Sequence, residues 1–445
     1  RNPQNRITAV VDPAGNKVRY GYDALGNLVS VTDRQNNVTQ FLYEHAAQPH
    51  YLTKIVDPLG RNGIRAEYDD QGKLVKMIDA AGKSIELIQD PGNFTQTVKD
   101  QLGNSMVYEY DTLGNIVREV DANGGVTLRT YSDPNNPSLE TSITNALGHT
   151  TRFTYDARGN QLTSTDPLGN VTYSTYQNIT FGTTVLAKIT GSSAAPFSVP
   201  LTTTDPLGNT TTNTYDTRGN LLSINDPSGL MTSLSYDGSG NPTTMNLGGN
   251  STQFTYDGAG RVTSQTDILN SATTYTYDTN GNQLTETRTL TTPNAVRTLV
   301  TTREYDKNNR VISVKDPEGN ITRTEYNAAG NRLADVDALG RRTEYRYDER
   351  GLLIETIFPD ATPGILSDNP RTRIEYDAAG RETARIDESG RRTEFQYDKL
   401  GRKTFTIYPD ATPGNPLDNP RTQTVYDAVG QVIAQIDERG NRTEF

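Results

Sequence analysis

Polar and apolar residues alternate along this chain in short bursts. Aromatic, polar, Tyr, Asp recurs as "YGYD" at 20–23, "FTYD" at 153–156 and 254–257, and "YRYD" at 345–348. Residues two apart lie on one face of a strand, so each pair of aromatics shares a face and the residue between them takes the other. Past the Asp, the alternation resumes, with Val29 and Val31 in "NLVSVTD" and Leu222 and Ile224 in "NLLSIND". No segment sustains a 3.6-residue period with helix caps. The pattern predicts a nearly all-β chain of antiparallel hairpins in one long meander.

The interruptions are as regular as the strands. Tyr-Asp-x-x-Gly begins at Tyr22, Tyr68, Tyr110, Tyr155, Tyr215, Tyr236, Tyr256, Tyr277, Tyr347, Tyr376, Tyr397 and Tyr426. Its aspartates are Asp23, Asp69, Asp111, Asp156, Asp216, Asp237, Asp257, Asp278, Asp348, Asp377, Asp398 and Asp427. Its glycines are Gly26, Gly72, Gly114, Gly159, Gly219, Gly240, Gly260, Gly281, Gly351, Gly380, Gly401 and Gly430. Tyr305 and Tyr326 begin decayed copies. Between copies lies a second kind of turn, such as "DPAGN" at 12–16, "DPLGR" at 57–61 and "DPLGN" at 166–170. From Asp205 of one linking turn to Tyr215, and from Tyr215 on to Asp226, each step takes 10 or 11 residues. The unit is therefore about 21 residues with two turns, an internal repeat.

Both turns have the same chemistry. Asp at the first position can accept a backbone N–H two residues on, and Pro suits the second position of a type I turn. Gly three residues after Asp tolerates the left-handed conformation that follows such a turn in a bulged hairpin loop. Roughly 40 strands at ~4.8 Å would make a sheet about 190 Å wide. Open sheets rarely exceed ~10 strands without curling, so the expected outcome is a coiled sheet forming a spiral, hollow shell or barrel. The whole of 1–445 is expected to be a single repeat array cut from a longer chain. Residues 173–204 are expected to insert an extra hairpin. The near duplicates 357–371 and 407–421 are expected to be long surface loops.

Composition agrees with many small contacts rather than one large core, because hydrophobic residues make up only 33%. The net charge of −11 argues against a nucleic-acid-binding surface. No apolar run is long enough to span a membrane as a helix, and no targeting signal is recognisable. With no Cys and three His (His45, His50 and His149), a zinc site would need His with carboxylates, and the spacing offers none. The aspartates sit evenly at turn positions, whereas acid–base catalysis needs a converging, desolvated pair. The reading therefore assigns no catalytic, metal or cofactor-binding residue, and no cofactor. Asn93, Asn170, Asn209 and Asn320 begin Asn-x-Thr sequons, which matter only if a eukaryotic cell secretes the chain.

A dozen Tyr-Asp-x-x-Gly copies with Asp-Pro-x-Gly linking turns resemble the YD-repeat (RHS-repeat) family, over essentially residues 6–445. "YEHAAQPHYLTKIVDPLG" at 43–60 is similar to the family's longer unit. The resemblance implies a large hollow β-shell, as in bacterial Rhs proteins and the C component of insecticidal toxin complexes, where it encloses a toxic C-terminal domain. Animal teneurins use a similar shell as an adhesion scaffold. The family's closing motif, Pro-x-x-x-x-Asp-Pro-x-Gly-Leu, is matched at "DPSGL" (226–230) only in its last five positions, with Leu221 where Pro would stand. No cleavage residue is carried over.

The expectation is thus a non-catalytic shell segment of a secreted or cell-surface polymorphic toxin. Its partner would be a C-terminal toxin or effector domain of the same polypeptide, with secretion-system or cell-surface components beyond. The alternative is a cell-surface adhesion or carbohydrate-binding scaffold whose exposed Tyr rings stack on sugars.

Overall fold

The computed structural model describes residues 1–179, 197–269, 271–292, 295–360, 368–410 and 419–445. The described residues form 38 strands and no helix, in one antiparallel sheet. The central parts of the expected insertion at 173–204 and of the long loops at 357–371 and 407–421 lie outside the described residues. The insertion's flanks, Val171–Ile179 and Phe197–Thr204, pair with each other.

One hairpin stands for the rest. Strands Thr150–Tyr155 and Gln161–Thr165 are joined by the turn 156–160. The Gly159 N–H donates to Asp156 O at 3.0 Å, and the Asp156 N–H donates to Asn160 O at 2.9 Å. Gly159 has φ +85°, which a side chain would strain. This is the type I turn plus left-handed glycine that the spacing predicts.

The ladder holds one irregularity that the spacing does not predict. Tyr155 pairs with Gln161, but Thr154 pairs with Thr163, which leaves Leu162 as an extra residue. The same shift precedes Tyr22, Tyr215, Tyr236, Tyr277 and Tyr397. The hairpin closed by the linking turn 166–170 runs in plain register. Every such bulge sharpens local twist. It also breaks the alternation expected of Val29 with Val31 and of Leu222 with Ile224, since Val29 and Leu222 are the extra residues.

Burial is shallow. Among the described residues, the buried apolar ones are Ile179, Val199, Ala334, Ile357, Ala384 and Ala434. The three alanines occupy equivalent places, each the third residue of a five-residue strand. Ala384 pairs with Glu375 on one side and Glu394 on the other. Arg392 bridges both carboxylates, at 2.6 and 2.9 Å, so the alanine lies among a charged row. In the strand Leu353–Ile357 the signs invert: Glu355 is the buried centre, paired with Arg346 and Arg373.

The chain divides into two compact units. One comprises Arg1–Tyr110, Arg118–Val126 and Thr302–Phe445, and the other Asp111–Val117 and Thr127–Thr301. Because the connections form a meander, each unit carries its Tyr-Asp turns along one margin and its linking turns along the opposite one.

Candidate functional site

The repeated turn is the chemical unit of this chain. Asp156 shows its wiring. One carboxylate oxygen accepts the N–H groups of Arg158 and Asn160, at 2.8 and 3.0 Å, and the other accepts the Asn160 side-chain amide at 2.7 Å. That amide bond, opposed by partial desolvation and joined by the backbone bonds, holds the Asp156 carboxyl below its ordinary range. Asp166, Asp205 and Asp437 are held low with the same leading cause. A carboxylate held ionised in this way is a turn acceptor and a poor proton donor at neutral pH.

Tyr155 has a complementary role. Its hydroxyl donates to Glu140 O at 2.8 Å, and burial, with the nearby Glu140 charge, pushes its pKa up. The bond recurs along the chain, from Tyr22 to Ile7 O, Tyr236 to Leu221 O, Tyr277 to Val262 O and Tyr397 to Glu382 O. Leu221 begins a strand whose ladder to the next one starts only at Ser223, so Tyr236 supplies a donor where the ladder stops. Guanidinium groups lie over several of these tyrosines: Arg261 over Tyr277, Arg381 over Tyr397 and Arg402 over Tyr426, at 4.8–4.9 Å.

These arginines belong to a position that the turn chemistry did not single out, the residue four after Asp. Arg402 clamps Asp398 at 2.6 Å and also donates to Asp427 O in the next Tyr-Asp turn at 2.8 Å. Asn also ties its turn to a neighbouring segment where Arg is absent: Asn27 donates to Asp23 at 2.9 Å and to Pro49 O at 2.9 Å. The sequence signal was present, since Asn or Arg follows the turn glycine in most copies.

The histidines are local fittings. The His50 Nδ1–H donates to the Asn27 side-chain oxygen at 2.6 Å, and His45 lies against Tyr51 and Tyr68. Among the described residues no group of three His, Asp or Glu could hold a metal ion.

The structure also brings together turns that are remote in sequence, all inside the first unit. The Asn308 amide donates to the Asp33 carboxylate at 2.7 Å, and Arg310 donates to the Gln35 side chain at 2.8 Å. Asn123 donates to Asp398 at 3.3 Å. Each of these three contacts spans 275 residues. Arg61 donates to Asp348 O at 3.2 Å. In every case a linking turn of the early strands meets a Tyr-Asp-type turn of the late strands. The result is a polar seam with a fixed sense.

Comparison with known proteins gives this arrangement relatives. The model of the teneurin YD-shell matches residues 2–104 and 201–407, more than half of the chain, and the RHS repeat model matches residues 139–171. A TcdB2–TccC3–Cdc42 crystal structure superposes with a TM-score of 0.56 at 15% identity, over 98% of this chain and 27% of that one. A TcdB2–TccC3 structure without its hypervariable C-terminal region gives 0.55 at 15%, over 96% and 26%. At such identity the likeness is one of fold, and this chain spans about a quarter of the length of those chains.

Proposed function

Since the chain belongs to the teneurin YD-shell family, we propose that it is a non-catalytic wall segment of a hollow shell. That shell encloses and carries a toxin or effector domain of the same polypeptide and works outside the cell or at its surface. The observation that carries this reading is the seam in which early linking turns meet late Tyr-Asp-type turns 275 to 287 residues away. A sheet whose late strands seat on its early ones through matched turns is suited to walling off a volume. Turn aspartates held ionised and tyrosines held neutral support a structural rather than a catalytic role.

The sugar-stacking alternative has less support. Among the 24 tyrosines Tyr173 alone is exposed, and the rings of the Tyr-Asp turns are half-buried.

Protease protection tests the proposal. The full polypeptide that contains this segment is digested beside its isolated C-terminal domain. The shell reading expects the domain to survive much longer inside the full chain. Equal rates of cleavage would refute it.

A further inference from the structure

The cluster around Glu355, on a sheet face of the first unit, has a property its neighbours lack. On either side of it one arginine bridges two glutamates: Arg342 holds Glu325 and Glu344, and Arg392 holds Glu375 and Glu394. Each of those sets is left with a negative charge. At Glu355 the ratio is reversed, because one carboxylate meets three arginines. Arg346 Nη1 donates to its Oε2 at 3.0 Å, Arg373 Nε donates to its Oε1 at 2.9 Å, and Arg371 Nη1 stands 3.7 Å from Oε1. Strand pairing sets Arg346, Glu355 and Arg373 in one row across three strands, with Arg371 and Ile386 on the same face. Burial disfavours the Glu355 carboxylate, but the Arg373 bond and the charges of Arg346 and Arg371 hold its carboxyl below the ordinary range. Three guanidinium charges against one carboxylate leave two positive charges, in a chain whose net charge is −11.

The surplus is accessible. Glu355 is buried, whereas the side chains of Arg346 and Arg373 are 53% and 54% exposed. Among the described residues Glu355 is the only partner of either guanidinium, so each has N–H donors to spare. We propose that Arg346 and Arg373, braced by Glu355, bind the carboxylates of a short acidic peptide segment lying across this face. Guanidinium and carboxylate match as paired donors and acceptors. The brace holds the two arginines convergent before the ligand arrives, which lowers the ordering cost of binding. Ile386, half-buried beside Arg373, gives the peptide an apolar contact. The flanking glutamates select for length. A long polyanion such as a nucleic acid would lay its further charges on Glu325, Glu344, Glu375 and Glu394, whereas a short acidic run ends before it meets them.

Fluorescence anisotropy on the whole chain, with a labelled tetraglutamate peptide as the probe, tests this. Wild type is expected to bind the peptide, less tightly as salt is raised. Arg346→Gln is expected to weaken binding at least about fivefold, and Glu355→Gln, which removes the internal competitor, to tighten it by about as much. Opposite effects separate a binding site from lost folding, which would weaken both. Arg391→Gln, at a 70% exposed arginine of a linking turn, is expected to bind like wild type. An oligonucleotide of equal charge is expected to bind at least about tenfold more weakly than the peptide. A wild type that does not bind the peptide would overturn the proposal, as would equal affinities of the 346 and 391 variants. So would a Glu355→Gln variant that keeps its thermal melt and binds no tighter, or an oligonucleotide or inorganic phosphate that binds as well as the peptide.

Discussion

At the residue scale the turn glycines separate two costs. Gly219 has φ +86°, and a Cβ there would stand 2.5 Å from the Phe197 ring. Gly169 has φ +88° with open space around it. Gly169→Ala should cost only the conformational part, about 1–2 kcal/mol. Gly219→Val adds a β-branched side chain and a ring that must move, with an expected cost of about 1–3 kcal/mol or more. Chemical denaturation of the two variants checks the order, and equal midpoints would contradict it. These glycines were legible in the sequence, because a left-handed position three residues after Asp is a local requirement. The hydrogen bond of Tyr236 to Leu221 O was not, because its acceptor is a carbonyl on the preceding strand and every residue type carries a carbonyl.

At the element scale the hairpins followed from alternation and turn chemistry, while their bulges did not. Leu162 is an extra residue only relative to its partner strand, and a pairing register is not written in either strand alone. The buried alanine is a similar case. Ala384 looks like an ordinary small residue until Glu375, Glu394 and Arg392 are placed around it. Enlarging it should force that ion network apart. Ala384→Leu is expected to destabilise by about 1–3 kcal/mol despite its added apolar surface. Ala434 is buried at the equivalent place in its own strand and should respond alike. Thermal unfolding of the two Leu variants, at 384 and 434, provides the check, and a melt at or above that of wild type would contradict it.

At the scale of the whole molecule, sequence repetition announced a long sheet but not which turns would meet. That pairing depends on accumulated twist over many strands, to which no single repeat holds the key. Its energetics are testable at Asp33. Desolvation there is outweighed by the amide bonds of Asn37 and Asn308, so the carboxyl is held below its ordinary range. A lowered folded value means that the stabilisation is complete above the ordinary aspartate pKa of about 4 and is lost as pH falls through the folded value. Asn308→Ala should therefore cost about 1 kcal/mol at neutral pH, and its difference from wild type should shrink in acid. Melting curves across that range would show it, and a difference independent of pH would assign the loss elsewhere. The separation of mated turns, 275 residues in three contacts and 287 in the fourth, also has an evolutionary side. Deleting one hairpin would leave its neighbours intact, yet every later turn would arrive at the wrong mate. Selection on such a chain must therefore preserve the succession of hairpins between each pair of mated turns, even where it tolerates change in the letters themselves.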